Sequence, residues 1–212
     1  MTSYITPPRK VPHITTGDDA FRNKFRSWNI ADLSYVDINE YLAEKDLVIV
    51  PMASTEQHGP HLPLYTDTIT AIEVSARVSE QIGILHTPPI WTGYSPQHMH
   101  LPGEGRGTIT IKASTLNALM YDVARSLIHH GFNRIIFINR HGSNTKVVDP
   151  VLRKLRYETG ALIGFAVGYM AEDSSLSTQE QQSNSYKKNY KAFFHLWEHH
   201  QSNHNCTLIV FQ

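Results

Sequence analysis

Residues Arg134-Ile-Ile-Phe-Ile138 and the loop Asn139-Arg-His141-Gly-Ser-Asn144 that follows them decide the fold of this chain. The apolar run predicts a short buried strand, and the glycine and the polar residues after it end that strand. A second apolar run, Asp46-Leu-Val-Ile-Val-Pro51, also precedes a polar loop. Buried strands of this kind are typical of a sheet that is covered on both faces.

Helical and extended segments alternate around these two strands. Further strands are predicted at 84–91, 108–111 and 161–167. Apolar residues recur at helical spacing, and the predicted helical segments are 28–44, 68–82, 114–130 and 145–158. This alternation predicts an α/β fold with a mostly parallel central sheet and helices on both faces.

Three polar residues lie at the predicted starts of helices, and two of them have an alternative role in a functional site. Ser114 is a favourable N-cap for the helix that ends near His130. Asp67 is either the cap of the helix at 68–82 or a metal ligand. Asn144 either caps the next helix or belongs to a functional site. The sequence leaves both alternatives open for Asp67 and Asn144.

The alternation covers only part of the chain and divides it into three. Residues 1–27 are polar, contain several prolines and predict an extended N-terminal arm. Residues 28–170 are predicted to form the α/β domain. Residues 171–212 are irregular, and their Gln-, Ser- and Asn-rich first half predicts a loop or a disordered stretch.

Composition argues against several classes of protein. Nineteen Lys and Arg balance nineteen Asp and Glu, whereas proteins that bind nucleic acid or anionic membranes usually carry a basic excess. No apolar run approaches the roughly 20 residues of a membrane span, and the N-terminus lacks the apolar core of a secretory signal. Cys206 is the single cysteine among 212 residues, which excludes an intrachain disulfide. We therefore expect a cytoplasmic protein.

The loop after the first strand concentrates metal-ligating side chains. It runs from Ser54 through Glu56 and His58 to Asp67. Glu56 and His58 are two residues apart, so in an extended segment their side chains point to one side. Carboxylates and imidazoles together are a ligand set for Zn²⁺, Mn²⁺ and similar ions. Because His141 follows another strand of the predicted parallel sheet, it is expected at the same edge.

A third polar stretch, Gly93-Tyr-Ser95-Pro-Gln-His98-Met-His-Leu-Pro-Gly103, follows another predicted strand. It is either one wall of a binding pocket or an ordinary exposed loop. Ser95 and His98 are its candidate substrate contacts.

Together these stretches resemble the creatininase (creatinine amidohydrolase) family. Ser-Thr-Glu-Gln-His-Gly-Pro-His-Leu-Pro-Leu at 54–64, followed by Thr-Asp, is similar to the long first motif of that family. Ser95-x-x-His98 before Leu-Pro-Gly resembles the second motif, and Asn139-x-His141-Gly-x-Asn144 resembles the third. The resemblance extends over 28–170.

The resemblance implies a three-layer α/β/α fold and two divalent metal ions, Zn²⁺ or Mn²⁺. Glu56, Asp67 and His141 would hold one ion, and His58 would hold the other together with a bridging Asp67. Ser95 and His98 would line the substrate pocket. The implied activity is hydrolysis of a C–N bond in a small cyclic amide or formamide by a metal-activated hydroxide.

The resemblance also implies how the chain associates. Family members are commonly homo-oligomers, often hexamers, and we expect the same here. The expected partner is a small-molecule amide, with neither nucleic acid nor a membrane involved.

The chain departs from the family pattern at the second ion. Creatininases carry Tyr-Glu directly after the histidine of the third motif, and this chain has Gly142 and Ser143 there. Creatinine itself is therefore not the expected substrate. Either a residue of the tail (Glu172, His199 or His204) replaces the missing glutamate, or the second metal site is weakened. His199 is also predicted as a catalytic residue. The weakened site would leave a protein that binds a metal or a small ligand without efficient turnover.

Overall fold

The computed structural model describes residues 24–167, and these form an all-parallel four-stranded sheet with flanking helices. The strands are β1 (Leu47–Met52), β2 (Leu85–His86), β3 (Arg134–Asn139) and β4 (Leu162–Val167), in the spatial order β2-β1-β3-β4. Every residue of β1 and β3 is buried, as expected for strands covered on both faces. The predicted α/β fold is confirmed.

Four α-helices accompany the described strands. They are α1 (Tyr35–Glu44), α2 (Thr66–Ile82), α3 (Ala113–His130) and α4 (Asp149–Thr159). α2 leads from β1 to β2, whereas α3 and α4 serve crossovers that run across the sheet in the opposite direction. Right-handed crossovers therefore place α2 on one face and α3 with α4 on the other. This is the three-layer α/β/α arrangement. None of the described helices is both long and apolar enough to cross a membrane.

The predicted start of one helix is wrong. α3 begins at Ala113, so Ser114 lies inside its first turn, and the preceding Lys112 makes no side-chain cap. The helix starts early because Leu116 N already donates to the carbonyl of Lys112 at 3.0 Å. α2 also begins at Thr66, two residues before the predicted start, which makes Asp67 its second residue rather than its cap.

The predicted strand at 84–91 is much shorter in the structure. Only Leu85 and His86 pair with β1 as a strand. Pro88 and Pro89 lack the N–H that a ladder needs, so pairing stops there. Ile90 returns to the end of β1, and its N–H donates to the carbonyl of Pro51 at 2.9 Å.

Two further segments differ from the prediction. Residues 108–111 form no strand, and isolated bridges join Ile109 to Thr55 and Thr110 to Gly93. The predicted helix at 145–158 is split into a 3-10 segment, Gly142–Lys146, and α4. Pro150 explains the split, because proline is accommodated in the first turn of a helix and breaks its interior.

The core joins the inner faces of the described helices to the sheet. Phe25 belongs to it, with its ring 6.1 Å from that of Tyr41 and 6.0 Å from that of Trp28. The end of the predicted N-terminal arm therefore packs on the domain. The predictions for the rest of the arm (1–23), for the end of the α/β domain (168–170) and for the C-terminal segment (171–212) concern residues outside the described range.

A buried ion pair ties the start of β1 to the start of β3. Arg134 Nε lies 2.5 Å from Asp46 Oδ1, and both side chains are almost fully buried. Arg134 Nη2 has no hydrogen bond within the described residues, and the carboxylate of Asp46 balances the charge of this guanidinium. Removal of the carboxylate would leave a guanidinium in a region of low dielectric.

We expect Asp46→Ala to lower the free energy of unfolding by about 3–5 kcal/mol, because the Arg134 charge loses its partner. Asp46→Leu combined with Arg134→Met should recover most of that loss, since no charge is left buried. Arg77→Ala, which breaks the exposed pair with Glu73, is the matched control and should cost less than about 1 kcal/mol. Urea unfolding measures all three. Equal losses for Asp46→Ala and Arg77→Ala would contradict the argument.

His86 in β2 predicts a pH dependence of stability. Burial lowers the pKa of His86, because its imidazolium would lose hydration. In the unfolded chain the pKa of a histidine is about 6.5. The unfolded state therefore binds the proton more readily, so stability is full above that pH and is lost as the pH falls.

We expect His86→Asn to flatten the dependence of unfolding free energy on pH between about 7 and about 5. The exposed His61 is the matched control, and His61→Asn should keep the wild-type slope. Urea titrations at several pH values test this prediction, which fails when the slopes of His86→Asn and wild type coincide.

Candidate metal centre

The candidate site lies where the sheet changes direction. β1 and β3 are neighbours, but their onward connections lead to opposite edges of the sheet. In parallel α/β sheets such a switch point leaves a crevice at the carboxyl ends of the strands. The loop after β1 carries Glu56, and His141 follows β3 by two residues. Asp67 enters from the first turn of α2.

Five side chains form an alternating row of imidazoles and carboxylates. His58 Nε2 lies 3.0 Å from Asp67 Oδ1, and Asp67 Oδ2 lies 3.0 Å from His141 Nδ1. The same His141 Nδ1 lies 3.1 Å from Glu56 Oε1. Glu56 Oε2 lies 3.3 Å from His98 Nε2. Sequence reasoning placed Glu56, His58 and His141 at one edge of the sheet and Asp67 at the start of the next helix. Tertiary structure brings these four residues together with His98.

The centre of this row has the composition of a metal site. Glu56, Asp67 and His141 are buried, and one ligand atom from each lies within 4.8 Å of the others. Two carboxylates and one imidazole suit Zn²⁺, Mn²⁺ and related divalent ions. Glu56 Oε2 is buried and has no hydrogen bond within the described residues, since the His98 contact does not meet hydrogen-bond geometry. A buried carboxylate oxygen in that state fits a cation.

The surroundings of His141 select which nitrogen faces the carboxylates. His141 Nε2 lies 3.0 Å from the carbonyl oxygen of Tyr94. Because a carbonyl only accepts hydrogen bonds, Nε2 must carry a proton and donate it. In the neutral imidazole, Nδ1 then holds the lone pair and faces Glu56 and Asp67. Metal-binding histidines usually donate their second ring N–H in this way.

Electrostatics favour positive charge at this position. Burial alone would lower the pKa of His141, but its hydrogen bonds to Asp67 and Glu56 outweigh burial and raise the pKa to about 9. Burial raises the pKa of Glu56, but the hydrogen bond from His141, its charge, and the contacts with Ser95 and His98 together outweigh burial and leave the pKa below its usual value. Without a metal, a proton on Nδ1 supplies the cation that the carboxylates require. A divalent ion would take the place of that proton.

Ser95, His141 and Asp67 have the connectivity of a serine-hydrolase triad. Ser95 Oγ lies 3.0 Å from His141 Nε2, and His141 Nδ1 faces Asp67. A nucleophile must be accessible and must give its proton to the histidine. Ser95 is fully buried, and the nitrogen it faces already carries the proton donated to Tyr94. The geometry therefore disfavours nucleophilic catalysis by Ser95.

Asn144 joins the loops that carry the site and is not a helix cap. Its Nδ2 donates to the carbonyl of Ala53 at 3.2 Å and to Asn139 Oδ1 at 3.0 Å. Its Oδ1 accepts from Tyr94 N at 2.9 Å. Sequence reasoning left this role open, because the partners are distant in sequence. The capping alternative is wrong.

The predicted site residues have different surroundings. Ser95 contacts His141 of the row and His98 is the last member of the row, but the place of both residues in a substrate pocket stays a prediction. Ser143 stands where creatininases carry glutamate, and its hydroxyl accepts a hydrogen bond from Gln97 Nε2 at 2.9 Å. The tail candidates lie outside the described residues: Glu172, His199 and His204.

Two contacts were missed by sequence reasoning. Ser54 Oγ lies 2.7 Å from Ser95 Oγ, and Gln57 Nε2 lies 2.9 Å from His98 Nδ1. Ser54 and Gln57 both lie within the first motif, next to Glu56 and His58. This position in the motif is the only sequence signal for either residue.

A parallel α/β sheet with a buried carboxylate–imidazole cluster at its switch point defines a class of metal-binding α/β proteins. The profile of the family described as creatininase, creatinine amidohydrolase, matches residues 31–202. The chain therefore belongs to the creatininase family.

Individual relatives agree with this membership. Over 118 residues the chain is 40% identical to a mycofactocin precursor peptide peptidase of Mycolicibacterium smegmatis, covering 53% of this chain and 46% of that protein. Over 138 residues it is 31% identical to the creatinine amidohydrolase of Pseudomonas putida, covering 60% and 52%. The chain spans about half the length of the curated relatives it matches.

Solved structures show the same fold. A mutant creatininase of the Zn-Zn type has a TM-score of 0.60 at 26% identity, with 74% of this chain and 64% of that chain covered. A structure titled creatininase Mn has a TM-score of 0.56 at 29% identity, with 65% and 58% covered.

A substitution at Gly93 tests whether the loops that Asn144 joins support the candidate metal site. A Cβ atom at Gly93 would lie 2.6 Å from both the carbonyl oxygen of Ala53 and Asn144 Oδ1. We expect Gly93→Ala to cost about 1–3 kcal/mol of stability and to weaken Zn²⁺ binding, because these loops must separate.

Gly160→Ala is the control for backbone strain alone. Gly160 has a φ of 71° and no atom near the added Cβ, so the variant loses stability but keeps its Zn²⁺ affinity. Zn²⁺ titration against a competing chelator measures both variants. Wild-type affinity in Gly93→Ala would contradict the proposed support.

Proposed function

We propose that this chain is a divalent-metal-dependent amidohydrolase that cleaves a C–N bond of a small cyclic amide or formamide. The observation that carries the proposal is the buried group Glu56, Asp67 and His141, whose ligand atoms converge within 4.8 Å. Membership of the creatininase family supports the reaction class.

The residues of the chain prepare this site in specific ways. Glu56 and Asp67 supply negative charge in a buried crevice, where a cation is attracted more strongly than in water. The carbonyl of Tyr94 holds the proton of His141 on Nε2 and leaves Nδ1 for the metal. A bound pair of divalent ions supplies an activated water at neutral pH and polarises the amide carbonyl.

Asp67 is positioned to serve two ions. Its Oδ1 faces His58 and its Oδ2 faces His141, so its two oxygens are directed at two different imidazoles. This arrangement suits a carboxylate that bridges two cations. The second position then has His58 and Asp67 as ligands among the described residues and needs at least one more. We propose that Glu172, His199 or His204 supplies it, with His199 also as a candidate catalytic residue.

Zn²⁺ or Mn²⁺ is the proposed metal. Imidazole and carboxylate donors suit both ions, and creatininase structures with Mn and of the Zn-Zn type share the fold. Ser143 in place of glutamate argues against creatinine as the substrate. The relatives include a peptide peptidase and a creatinine amidohydrolase, so an amide bond is the feature we carry over.

Further proposals concern the setting of the enzyme. We propose a cytoplasmic homo-oligomer of the kind common in this family, with a hexamer as the candidate assembly. Its neutral formal charge supports a small molecule as the partner, rather than nucleic acid or an anionic membrane.

A second candidate is a family member that binds a metal without efficient turnover. The replacement of the expected Tyr-Glu by Gly142 and Ser143 favours it. Ser143 is also engaged with Gln97. A hydroxyl is a poor substitute for a carboxylate at a divalent ion. Bound metal without hydrolysis of any amide in a broad panel would favour this candidate.

Metal content and activity of ligand variants test the proposal. We expect Asp67→Ala to lose essentially all bound metal, because Asp67 is shared by both positions. Hydrolysis of a responsive amide should fall by about 100-fold or more. His58→Ala should lose only one ion per chain. Elemental mass spectrometry of dialysed protein gives the stoichiometry.

The control is His61→Ala, which removes an exposed histidine from the same loop and should leave both metal content and activity unchanged. Wild-type metal content in Asp67→Ala and in His58→Ala would refute the metal centre. About two ions in the wild type would show that another residue completes the second position, whereas one ion would show that this position is incomplete.

A further inference from the structure

Two buried serines lie beside the candidate metal ligands. Ser54 and Ser95 are both fully buried, and their hydroxyl oxygens lie 2.7 Å apart. Ser54 follows β1 by two residues, while Ser95 lies in the loop before α3. Burial of hydroxyls costs free energy unless they are hydrogen-bonded, and here one hydroxyl donates to the other. The pair therefore joins two loops of the site.

Ser95 also contacts the imidazole of His141, at the ring nitrogen that does not face Glu56 and Asp67. Its hydroxyl interacts with Glu56 as well and helps to lower the pKa of that carboxyl. Its Oγ lies 3.0 Å from His141 Nε2, the same distance as the carbonyl oxygen of Tyr94. Two acceptors at one N–H constrain the plane of the ring as well as its tautomer. A rotated ring would direct a carbon atom at Glu56 and Asp67.

The backbone at Tyr94 and Ser95 is held in place by other loops. Tyr94 N donates to Asn144 Oδ1 at 2.9 Å, and Ser95 N donates to Thr110 Oγ1 at 2.8 Å. These two hydrogen bonds fix the backbone from which the Ser95 hydroxyl extends toward His141. Ser54 then acts on His141 through Ser95, because its hydroxyl is hydrogen-bonded to Ser95 Oγ.

We propose that the Ser54–Ser95 hydroxyl pair positions His141 for metal binding, with Ser95 as the direct positioning residue and Ser54 acting through it. The inference rests on the proposed metal centre. It assigns Ser95 a role behind the ligand rather than in contact with substrate. Residues that orient a metal ligand in this way typically change metal affinity by about 10- to 100-fold.

Metal affinity of the full-length chain tests the proposal. Zn²⁺ affinity, measured against a competing chelator, should fall by about 10- to 100-fold in Ser95→Ala. Ser54→Ala should show a smaller loss. The double variant should match Ser95→Ala alone, because Ser54 has no separate route to the ligand. In Co²⁺-loaded protein, the visible absorption bands should shift in Ser95→Ala, since the ligand geometry changes.

A matched control separates this effect from the loss of any buried serine. Ser75 is fully buried in α2, and its hydroxyl has no hydrogen bond within the described residues. Ser75→Ala should keep Zn²⁺ affinity within about twofold and leave the Co²⁺ spectrum unchanged. Thermal unfolding of the metal-free variants checks that each is folded. If Ser95→Ala does not fold, Ser54→Ala against Ser75→Ala carries the test.

The outcomes distinguish the two levels of the proposal. A wild-type protein that binds no Zn²⁺ overturns the metal centre itself. Wild-type binding with unchanged affinity and spectrum in Ser95→Ala overturns only the positioning role. Losses that multiply in the double variant overturn the relay through Ser95. Covalent labelling of Ser95 by a fluorophosphonate would make it a nucleophile and would also overturn the proposal.

Discussion

The shared contact of His141 Nδ1 with Glu56 and Asp67 is the constraint on which the site depends. Two buried carboxylates this close together repel each other unless a cation lies between them. A proton on the imidazole meets this need in the metal-free chain, and a divalent ion meets it better. The raised pKa of His141 reflects this need for positive charge. Glu56 Oε2, which has no hydrogen bond within the described residues, reflects the same need.

The fold meets this demand with pieces that are far apart in sequence. β1 and β3 lie side by side because their crossovers leave in opposite directions, and this opens the crevice at their carboxyl ends. Asn144 then binds the loops after β1 and β2 to the end of β3. Gly93 allows this close approach, since any side chain there would collide with Ala53 and Asn144. The ligands are thereby held by packed backbone rather than by free loops.

The hydrogen bonds at His141 Nε2 determine which ring nitrogen faces the carboxylates. The carbonyl of Tyr94 decides the tautomer, and the hydroxyls of Ser95 and Ser54 complete the environment of the ring. Ser95, His141 and Asp67 have the connectivity of a serine triad, but His141 Nε2 carries a proton that it donates to the Tyr94 carbonyl. It therefore cannot accept the proton of the Ser95 hydroxyl. Ser143, where the chain departs from the family pattern, lies outside the group Glu56, Asp67 and His141, so this group is intact.

The sequence by itself determined the parallel α/β class, from the apolar runs at β1 and β3, and the expectation that Glu56, Asp67 and His141 meet at one sheet edge. Local patterns carry that information, because strand burial and loop position follow from short stretches. Tertiary structure alone decided the bridging role of Asn144 and the buried Ser54–Ser95 pair. Each of these depends on backbone from another loop, and contacts between distant segments leave no periodic pattern in the chain.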